Sequence, residues 1–147
     1  LKITIGAKPF GYTGTELAEF LRASGMEPEF ADRDHLVLML TPELGVDALE
    51  RIGQVLCSIP PREAISEAPP VFRPARRSIS IREAMLSPSE HLPVADCIGR
   101  ILAVPTVGCP PAVPILICGE EIDEHAIECF RYYGMTECCV VKTTAVT

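Results

Sequence analysis

The sequence predicts an α+β fold of two small subdomains, and three observations lead to this prediction. Short apolar runs of strand length alternate with longer segments whose apolar residues recur at helical spacing. Capping residues and glycines mark where those helices begin and end. A proline-rich stretch over residues 59–77 interrupts the pattern once, so we expect one subdomain on each side of it.

Residues 1–58 predict the order strand, helix, strand, strand, helix. Thr13 and Glu16 have the spacing of a capping box, in which each side chain bonds an amide at the start of the helix. The continuous apolar run over residues 35–41 has strand length and predicts a central strand buried on both faces. The other expected elements are strands over residues 1–5 and 26–30, a stop for the first helix at Gly25, and a second helix after Pro42.

Residues 78–147 predict a mixed α+β subdomain with a proline-rich hairpin. Ser80 and Asp123 stand where their side chains can cap the first turn of a helix. Apolar runs over residues 101–107 and 114–118 predict two strands, and the intervening GCPPAV predicts the turn of the hairpin. The remaining expected elements are a short helix from Pro93 to Ile98, a helix that ends at Gly134, and a final strand over residues 138–142.

The composition restricts the class of protein. Hydrophobic residues make up 48% and charged residues 22% of the 147 residues, a balance typical of a folded core. The formal net charge of -7 argues against a nucleic-acid surface, which needs clustered Lys and Arg. No apolar run reaches the roughly 20 residues of a membrane span. The seven cysteines lack the spacing of a disulfide framework, which predicts reduced thiols in a cytoplasmic protein.

Two long segments carry a family resemblance. Residues 81–122 read IREAMLSPSEHLPVADCIGRILAVPTVGCPPAVPILICGEEI, and residues 1–42 contain LKITI, GYTGTELAEFLRASGMEPEFAD and LVLMLTP. Together they resemble the C-terminal portion of the pyridoxal-phosphate-dependent ornithine/lysine/arginine decarboxylases. In that family a REA helix, a proline-initiated turn, GRI, a proline-rich hairpin and a GE precede the closing helix. Cys109 and Ala112 depart from the pattern, because the family usually has an aromatic residue and a glycine there.

The resemblance implies a domain assignment and an activity. Residues 1–58 would be the C-terminal part of an aminotransferase-like small domain, residues 59–77 a proline-rich linker, and residues 78–147 the decarboxylase C-terminal domain. The implied parent is a bacterial enzyme that decarboxylates arginine, lysine or ornithine to a polyamine. Pyridoxal phosphate would supply the decarboxylation chemistry, while the protein binds and orients the substrate.

The resemblance also implies that the cofactor site lies outside this chain. The family's cofactor lysine follows a histidine, and none of the three lysines in this sequence does: Lys2, Lys8 and Lys142. The chain starts within an expected strand and without an initiator Met, so we expect a fragment preceded by a pyridoxal-phosphate-binding domain. The fragment alone is expected to bind no cofactor and to catalyse nothing. Its implied contributions are domain packing, part of the surface of a homo-oligomer, and part of the substrate entrance, with no nucleic-acid or membrane partner.

Glu120 and Glu121 are the candidate substrate-channel residues. A buried cation needs an anionic partner, so these carboxylates can pair with the distal ammonium or guanidinium of the substrate. The alternative is that they join Asp123 and Glu124 in complementing the positive end of the next helix. Prolines nearby either preorganise the channel wall or protect the hairpin edge from unwanted strand pairing: Pro110, Pro111 and Pro114.

No catalytic and no metal-binding residue is predicted. His125 and Cys129 stand one helical turn apart, with Cys138 and Cys139 in the next expected strand. No CxxC motif accompanies them to build a zinc tetrahedron, so we interpret these thiols as small buried apolar side chains.

Two other functions stay open at the level of sequence. PVADCIGRILAVPTV, residues 93–107, also resembles a segment of molybdopterin molybdotransferases, although residues 1–42 have no place in that family. A non-catalytic module that binds partners through the hairpin is the other alternative.

Overall fold

The computed structural model describes residues 1–105 and 114–143, and it divides into two compact units. The first unit is Leu1–Ala68 and the second is Pro69–Thr147. Each unit combines a small antiparallel sheet with helices, which confirms the predicted α+β class. Within the described residues, no helix has both the length and the apolar content needed to cross a membrane.

The first unit is a three-stranded antiparallel sheet with two helices, in the predicted order, although the strand expected over residues 26–30 begins only at Phe30. The sheet order is β1-β3-β2, so the apolar run over residues 35–39 forms the central strand as predicted. The elements are β1 (Lys2–Gly6), α1 (Gly14–Ala23), β2 (Phe30–Ala31), β3 (His35–Met39) and α2 (Gly45–Ser58).

The core of the first unit forms around β3. Its three middle residues, Leu36, Val37 and Leu38, are all buried, which requires cover on both faces of the sheet. Leu17 and Leu21 of α1 pack on the face of Leu36 and Leu38. Helix α1 begins with the predicted capping box, because Thr13 Oγ1 accepts from the Glu16 amide at 3.2 Å and Glu16 Oε2 accepts from the Thr13 amide at 2.8 Å.

The second unit is a two-stranded antiparallel sheet with two helices. Its elements are α3 (Ile81–Leu86), β4 (Ser89–Pro93), α4 (Glu124–Tyr132) and β5 (Glu137–Val141). The predicted caps are present, since the Ser80 and Asp123 side chains accept bonds from the amides of Glu83 and Ala126. The largest fully buried side chains of its core are Phe130, Leu102, Ile122 and Val140.

Two predicted strands of the second unit do not form in the described residues, and one strand was not predicted. Strand β4 was not predicted, because its sequence is polar and a proline stands before it and at its end. Its partner β5 is also more than 40 residues away in sequence, so no local pattern indicates the pairing. No strand forms over residues 114–118, and only isolated bridges form at Ile101 and Leu102. Leu102 bonds Gly119, Glu120 and the β5 strand instead of a hairpin partner. The turn of the predicted hairpin lies outside the described residues.

The proline-rich segment forms no helix or strand from residue 59 to residue 76, yet it is hydrogen-bonded within each unit. In the first unit, the amides of Arg62 and Ile65 donate to the carbonyls of Phe10 and Lys8. In the second unit, the carbonyl of Arg76 accepts from the amide of Glu121 at 2.9 Å. The division between the units falls after Ala68, inside the predicted linker. The assignment of named domains to these stretches stays a prediction.

Candidate functional site

Glu120 and Glu121 lie on a tight turn, residues 117–121, in the second unit. This turn runs between two other segments of the chain. On one side the Glu121 amide donates to the Arg76 carbonyl, and on the other the Leu102 amide donates to the Glu120 carbonyl, both at 2.9 Å. Backbone bonds on both sides hold the two acidic residues at defined positions, as the residues of a binding site require.

Gly119 makes this close approach possible. Its φ is +88°, a left-handed conformation that side chains other than glycine rarely adopt. Its carbonyl accepts from the amides of Ser78 and Ile79, at 2.9 and 3.3 Å. A Cβ at this position would stand 2.4 Å from the Ile79 carbonyl oxygen. Gly119 is therefore required for two reasons, its positive φ and the lack of space for a Cβ.

The two carboxylates have different local partners. Oε2 of Glu120 accepts from the Ile117 amide at 2.9 Å, which closes the turn. Oε2 of Glu121 accepts from the Ser78 hydroxyl at 3.2 Å. Both residues are half-buried. An ionised carboxylate offers about four lone-pair sites, so each retains capacity to accept from a cationic ligand.

The start of helix α4 bears on the alternative role at a helix dipole. Helix α4 begins at Glu124, and Asp123 is its N-cap with Oδ1 2.7 Å from the Ala126 amide. Glu120 and Glu121 precede this cap and their side chains bond elsewhere. The local geometry thus adds a third role, closing the turn, to the two roles that the sequence left open. The substrate-channel role stays a prediction.

His125 and Cys129 are neighbours on α4, as their spacing indicates. Sγ of Cys129 lies 3.8 Å from Nε2 of His125, and the same nitrogen contacts the Val71 carbonyl. Burial raises the pKa of the Cys129 thiol, and the acids Glu128 and Asp123 add to this effect. A nucleophilic cysteine has a lowered pKa, so the direction of this shift favours a structural role for Cys129.

Three more described cysteines of the second unit are buried: Cys97, Cys118 and Cys138. Burial raises the pKa of Cys97 and Cys118, and it raises the pKa of Cys138 to about 12 with the neighbouring Cys97 as second cause. Cys97 Sγ lies 3.2 Å from the carbonyl oxygen of Pro93. Thiols with raised pKa values are poor metal ligands, because binding requires the thiolate.

One group of potential metal ligands occurs in the first unit. Ligand atoms of Asp32, Asp34 and His35 lie within 4.8 Å of one another. Protein contacts already occupy them, however. Asp32 Oδ1 accepts from the amides of Asp34 and His35, and the Asp34 carboxylate is 2.7 Å from the Lys8 ammonium. We therefore interpret the group as a turn with a buried ion pair.

The three lysines of this chain have different surroundings. The Lys8 ammonium is buried against Asp34 and donates to the Glu67 carbonyl at 2.6 Å. Lys2 pairs with Glu29 at 2.7 Å, and Lys142 is exposed. A cofactor lysine must be free to react, whereas the amine of Lys8 is held as a charged hydrogen-bond donor. Lys8 therefore has a structural role, as the buried cation of an ion pair.

Comparisons with known proteins decide the family. Residues 65–142 match the family described as "Orn/Lys/Arg decarboxylase, C-terminal domain". This chain belongs to the Orn/Lys/Arg decarboxylase family. The matched region includes the turn with Glu120 and Glu121, helix α4 and strand β5.

Two relatives show how much of such a protein this decarboxylase-family chain represents. It is 28% identical over 133 residues to arginine decarboxylase of Bacillus subtilis (strain 168), covering 86% of this chain and 27% of that protein. Its fold is similar to that of the constitutive lysine decarboxylase of E. coli, with a TM-score of 0.64 at 12% identity. That similarity covers 96% of this chain and 31% of the other. The chain spans about three tenths of the length of each relative.

Sequence reasoning missed two parts of the site in this family member. It did not identify the contact of Ser78 with Glu121, because the two residues are 43 positions apart. It treated Gly119 as part of the hairpin, although a glycine directly before two acids is typical of a turn with positive φ. The family match also excludes the molybdotransferase alternative, since residues 93–107 lie within the matched region.

Proposed function

We propose that this chain is the C-terminal part of a pyridoxal-phosphate-dependent enzyme that decarboxylates arginine, lysine or ornithine to a polyamine. The observation that carries the proposal is the family match over residues 65–142. The names of the two relatives favour a basic amino acid as substrate, one being an arginine and the other a lysine decarboxylase. The reduced thiols fit a cytoplasmic enzyme.

In this proposal the cofactor lies in an upstream domain of the same polypeptide. The burial of Lys8 in its ion pair supports this division, because its ammonium is held as a charged hydrogen-bond donor and is not available to hold the cofactor. The present residues then contribute packing against the upstream domain, part of the surface of a homo-oligomer and part of the substrate entrance. The chain alone is inactive.

Glu120 and Glu121 would select the cationic end of the substrate. An ammonium or guanidinium loses hydration as it enters a channel, and a half-buried carboxylate compensates for part of that loss. The backbone bonds around residues 117–121 keep both carboxylates in place before the substrate arrives. Their role is therefore binding and orientation, and it applies equally to the ground state and the transition state.

Amine-product analysis of the full-length protein tests the proposed reaction. The purified protein with pyridoxal phosphate is incubated separately with arginine, lysine and ornithine, and glutamate serves as an acidic control. We expect one basic amino acid to be converted to its amine with release of one CO₂, and no conversion of glutamate. Absence of amine from all three basic amino acids would contradict the proposal.

Charge-removing substitutions in the full-length protein test the two acids. Glu120→Gln keeps an oxygen for the Ile117 amide, so the turn is preserved while the negative charge is lost. We expect KM for the basic substrate to rise steeply in Glu120→Gln or Glu121→Gln, with a smaller fall in kcat. Loss of one partner of a desolvated charge pair costs about 2–5 kcal/mol.

Glu124→Gln is the matched control for this pair of variants. It removes an acid of the same region, but its side chain is exposed in the first turn of α4. We expect KM to be unchanged and stability to fall by about 0.3–1 kcal/mol. If Glu120→Gln and Glu121→Gln behave like Glu124→Gln, the acids serve local structure and the channel role is wrong.

A further inference from the structure

Helix α2 of the first unit carries apolar residues on two faces. Its inward face packs on the core through Ile52, Val55 and Leu56. A second set lies about 120° around the helix, at 100° per residue. We call this set the outer stripe, and it consists of Val46, Leu49, Gly53 and Cys57.

The outer stripe is exposed along its whole length. Val46 is 68% and Leu49 is 46% exposed, and Cys57 is exposed one helical turn beyond Gly53. Beyond the backbone of the helix itself, no described atom lies within 4 Å of a Cβ built on Gly53, so another element can approach there. A surface helix of a globular protein normally shows one apolar face and a polar remainder. A second apolar stripe therefore indicates an interaction surface.

The size of the stripe favours a partner on the same polypeptide. From Val46 to Cys57 it is about 17 Å long at 1.5 Å per residue. A stable contact between separate proteins buries about 800 Å² on each partner, more than four small or medium side chains provide. A covalently linked partner needs less area, because the linkage holds it at high effective concentration.

We infer that the outer stripe of α2 packs against the upstream domain of the full-length polypeptide. This inference rests on the proposed function, which requires that domain. The relatives leave ample chain for it, since this chain covers 27% and 31% of their lengths. The partner surface is apolar and contains a shallow groove or helix that fits against Gly53.

Alkylation of Cys57 in the native full-length protein tests the inference. The protein is treated with N-ethylmaleimide, and each cysteine peptide is quantified over time by mass spectrometry. The matched control is Gln54→Cys, which places a thiol on the exposed polar face of the same helix. We expect Cys57 to react about tenfold or more slowly than the thiol introduced by Gln54→Cys, because reaction requires local opening of a packed surface. Equal rates overturn the inference.

A second variant measures the packing directly. Leu49→Asp puts a charge into the outer stripe and should raise the alkylation rate of Cys57, whereas Gln54→Asp should leave that rate unchanged. Hydrogen exchange of β3 monitors whether either variant is folded. If Leu49→Asp does not fold, the comparison of Cys57 with the thiol of Gln54→Cys still tests the inference.

Dilution distinguishes the upstream domain from a second copy of the chain. Alkylation is repeated across concentrations at which mass photometry shows dissociation to monomers. Protection of Cys57 should persist in the monomer, and protection that disappears with dissociation overturns the inference. Amine formation is measured in the same preparations. If amine forms while Cys57 reacts freely, the inferred docking is wrong and the proposed reaction stands. If Cys57 is protected but no amine forms, the proposed reaction is wrong and the docking stands.

Discussion

The two halves of the proline-rich segment differ in the side chains that reinforce their backbone hydrogen bonds. In the first unit, two buried side chains add to the backbone bonds: the Tyr12 hydroxyl donates to the Pro60 carbonyl, and the Lys8 ammonium donates to the Glu67 carbonyl. Arg62 also lies over the Tyr12 ring, with 4.1 Å between its guanidinium carbon and the ring centroid. In the second unit, backbone bonds hold the segment to the turn around Gly119.

This difference predicts where each half is vulnerable. A side-chain anchor fails when one buried charge is removed, because its partner stays buried without compensation. A backbone anchor tolerates changes of side chain but fails where an added Cβ separates the two chains. The first half therefore depends on Lys8, and the second half depends on Gly119. Backbone bonds thus position residues 117–121, and the Glu120 side chain closes the turn.

Removal of the Lys8 charge should have the largest effect on stability. The side chains of Lys8 and Asp34 are only 10% and 7% exposed, so Lys8→Met leaves Asp34 buried without this partner. We expect the free energy of unfolding of the first unit to fall by about 3–5 kcal/mol. Hydrogen exchange of β3 in residues 1–147 measures the change, and exchange of β5 reports the second unit separately.

Lys2→Met is the control for that prediction. Its ammonium pairs with Glu29, but the Lys2 side chain is 54% exposed, so the loss should be about 0–1 kcal/mol. The double variant Lys8→Met with Asp34→Leu should recover part of the loss, since it removes both buried charges. Equal effects of Lys8→Met and Lys2→Met would show that the buried pair does not anchor the segment.

A methyl group at Gly119 should weaken the attachment of the second half of the proline-rich segment. Gly119 and Gly134 both have positive φ, at +88° and +72°, so alanine is strained at either position. The backbone cost is about 1–2 kcal/mol. Of these two positions, only Gly119 places the added Cβ against the Ile79 carbonyl, whereas no described atom lies within 4 Å of it at Gly134.

We therefore expect Gly119→Ala to cost about 1–3 kcal/mol more than Gly134→Ala. Exchange of the Ser78 and Ile79 amides should also accelerate in Gly119→Ala alone. Similar losses of stability in the two variants, with unchanged exchange at Ser78, would refute the backbone anchor.

The helix caps should give the smallest effects. Thr13 makes a reciprocal capping box with Glu16, and the pKa of Glu16 is lowered chiefly by its bond from the Thr13 amide. Ser80 accepts one bond, from the Glu83 amide. Thr13→Ala should cost the first unit about 1 kcal/mol, and Ser80→Ala should cost the second unit about half as much. A larger loss in Ser80→Ala would contradict this order.

Glu16 adds a pH dependence to the same cap. Because its pKa is lower in the folded state, its contribution is present above the unfolded pKa and is lost as the pH falls through the folded pKa. Glu16→Gln should therefore flatten the acid limb of stability in the first unit, whereas Thr13→Ala should keep most of it because the backbone amide of residue 13 remains.

The sequence predicts local features of this fold better than distant pairings. Thr13, Ser80 and Asp123 were identified as caps because a cap depends on three or four neighbouring residues. Residues 36–38 were identified as a buried central strand because burial on both faces leaves a continuous apolar run. Strand β4 and the contact of Ser78 with Glu121 were missed, because both depend on partners more than 40 positions away.

The candidate site shows the same limit. Glu120 and Glu121 were identified by their chemistry, but their neighbours Arg76 and Leu102 come from segments that local patterns do not connect. The family resemblance did not supply these contacts, because it identified motifs and not their neighbours in space. It did not locate the side chains, so the turn-closing bond of Glu120 emerged only from the structure.

A parallel assay of the full-length protein and of residues 1–147 tests the central claim most directly. Both are supplied with pyridoxal phosphate and with arginine, lysine or ornithine, and CO₂ release is measured. Borohydride then traps any cofactor bound covalently to lysine. We predict that the full-length protein releases CO₂ from one of these amino acids, and that residues 1–147 release none and trap no cofactor. Stoichiometric trapping on Lys2, Lys8 or Lys142, or a full-length protein inactive with all three amino acids, would contradict the account.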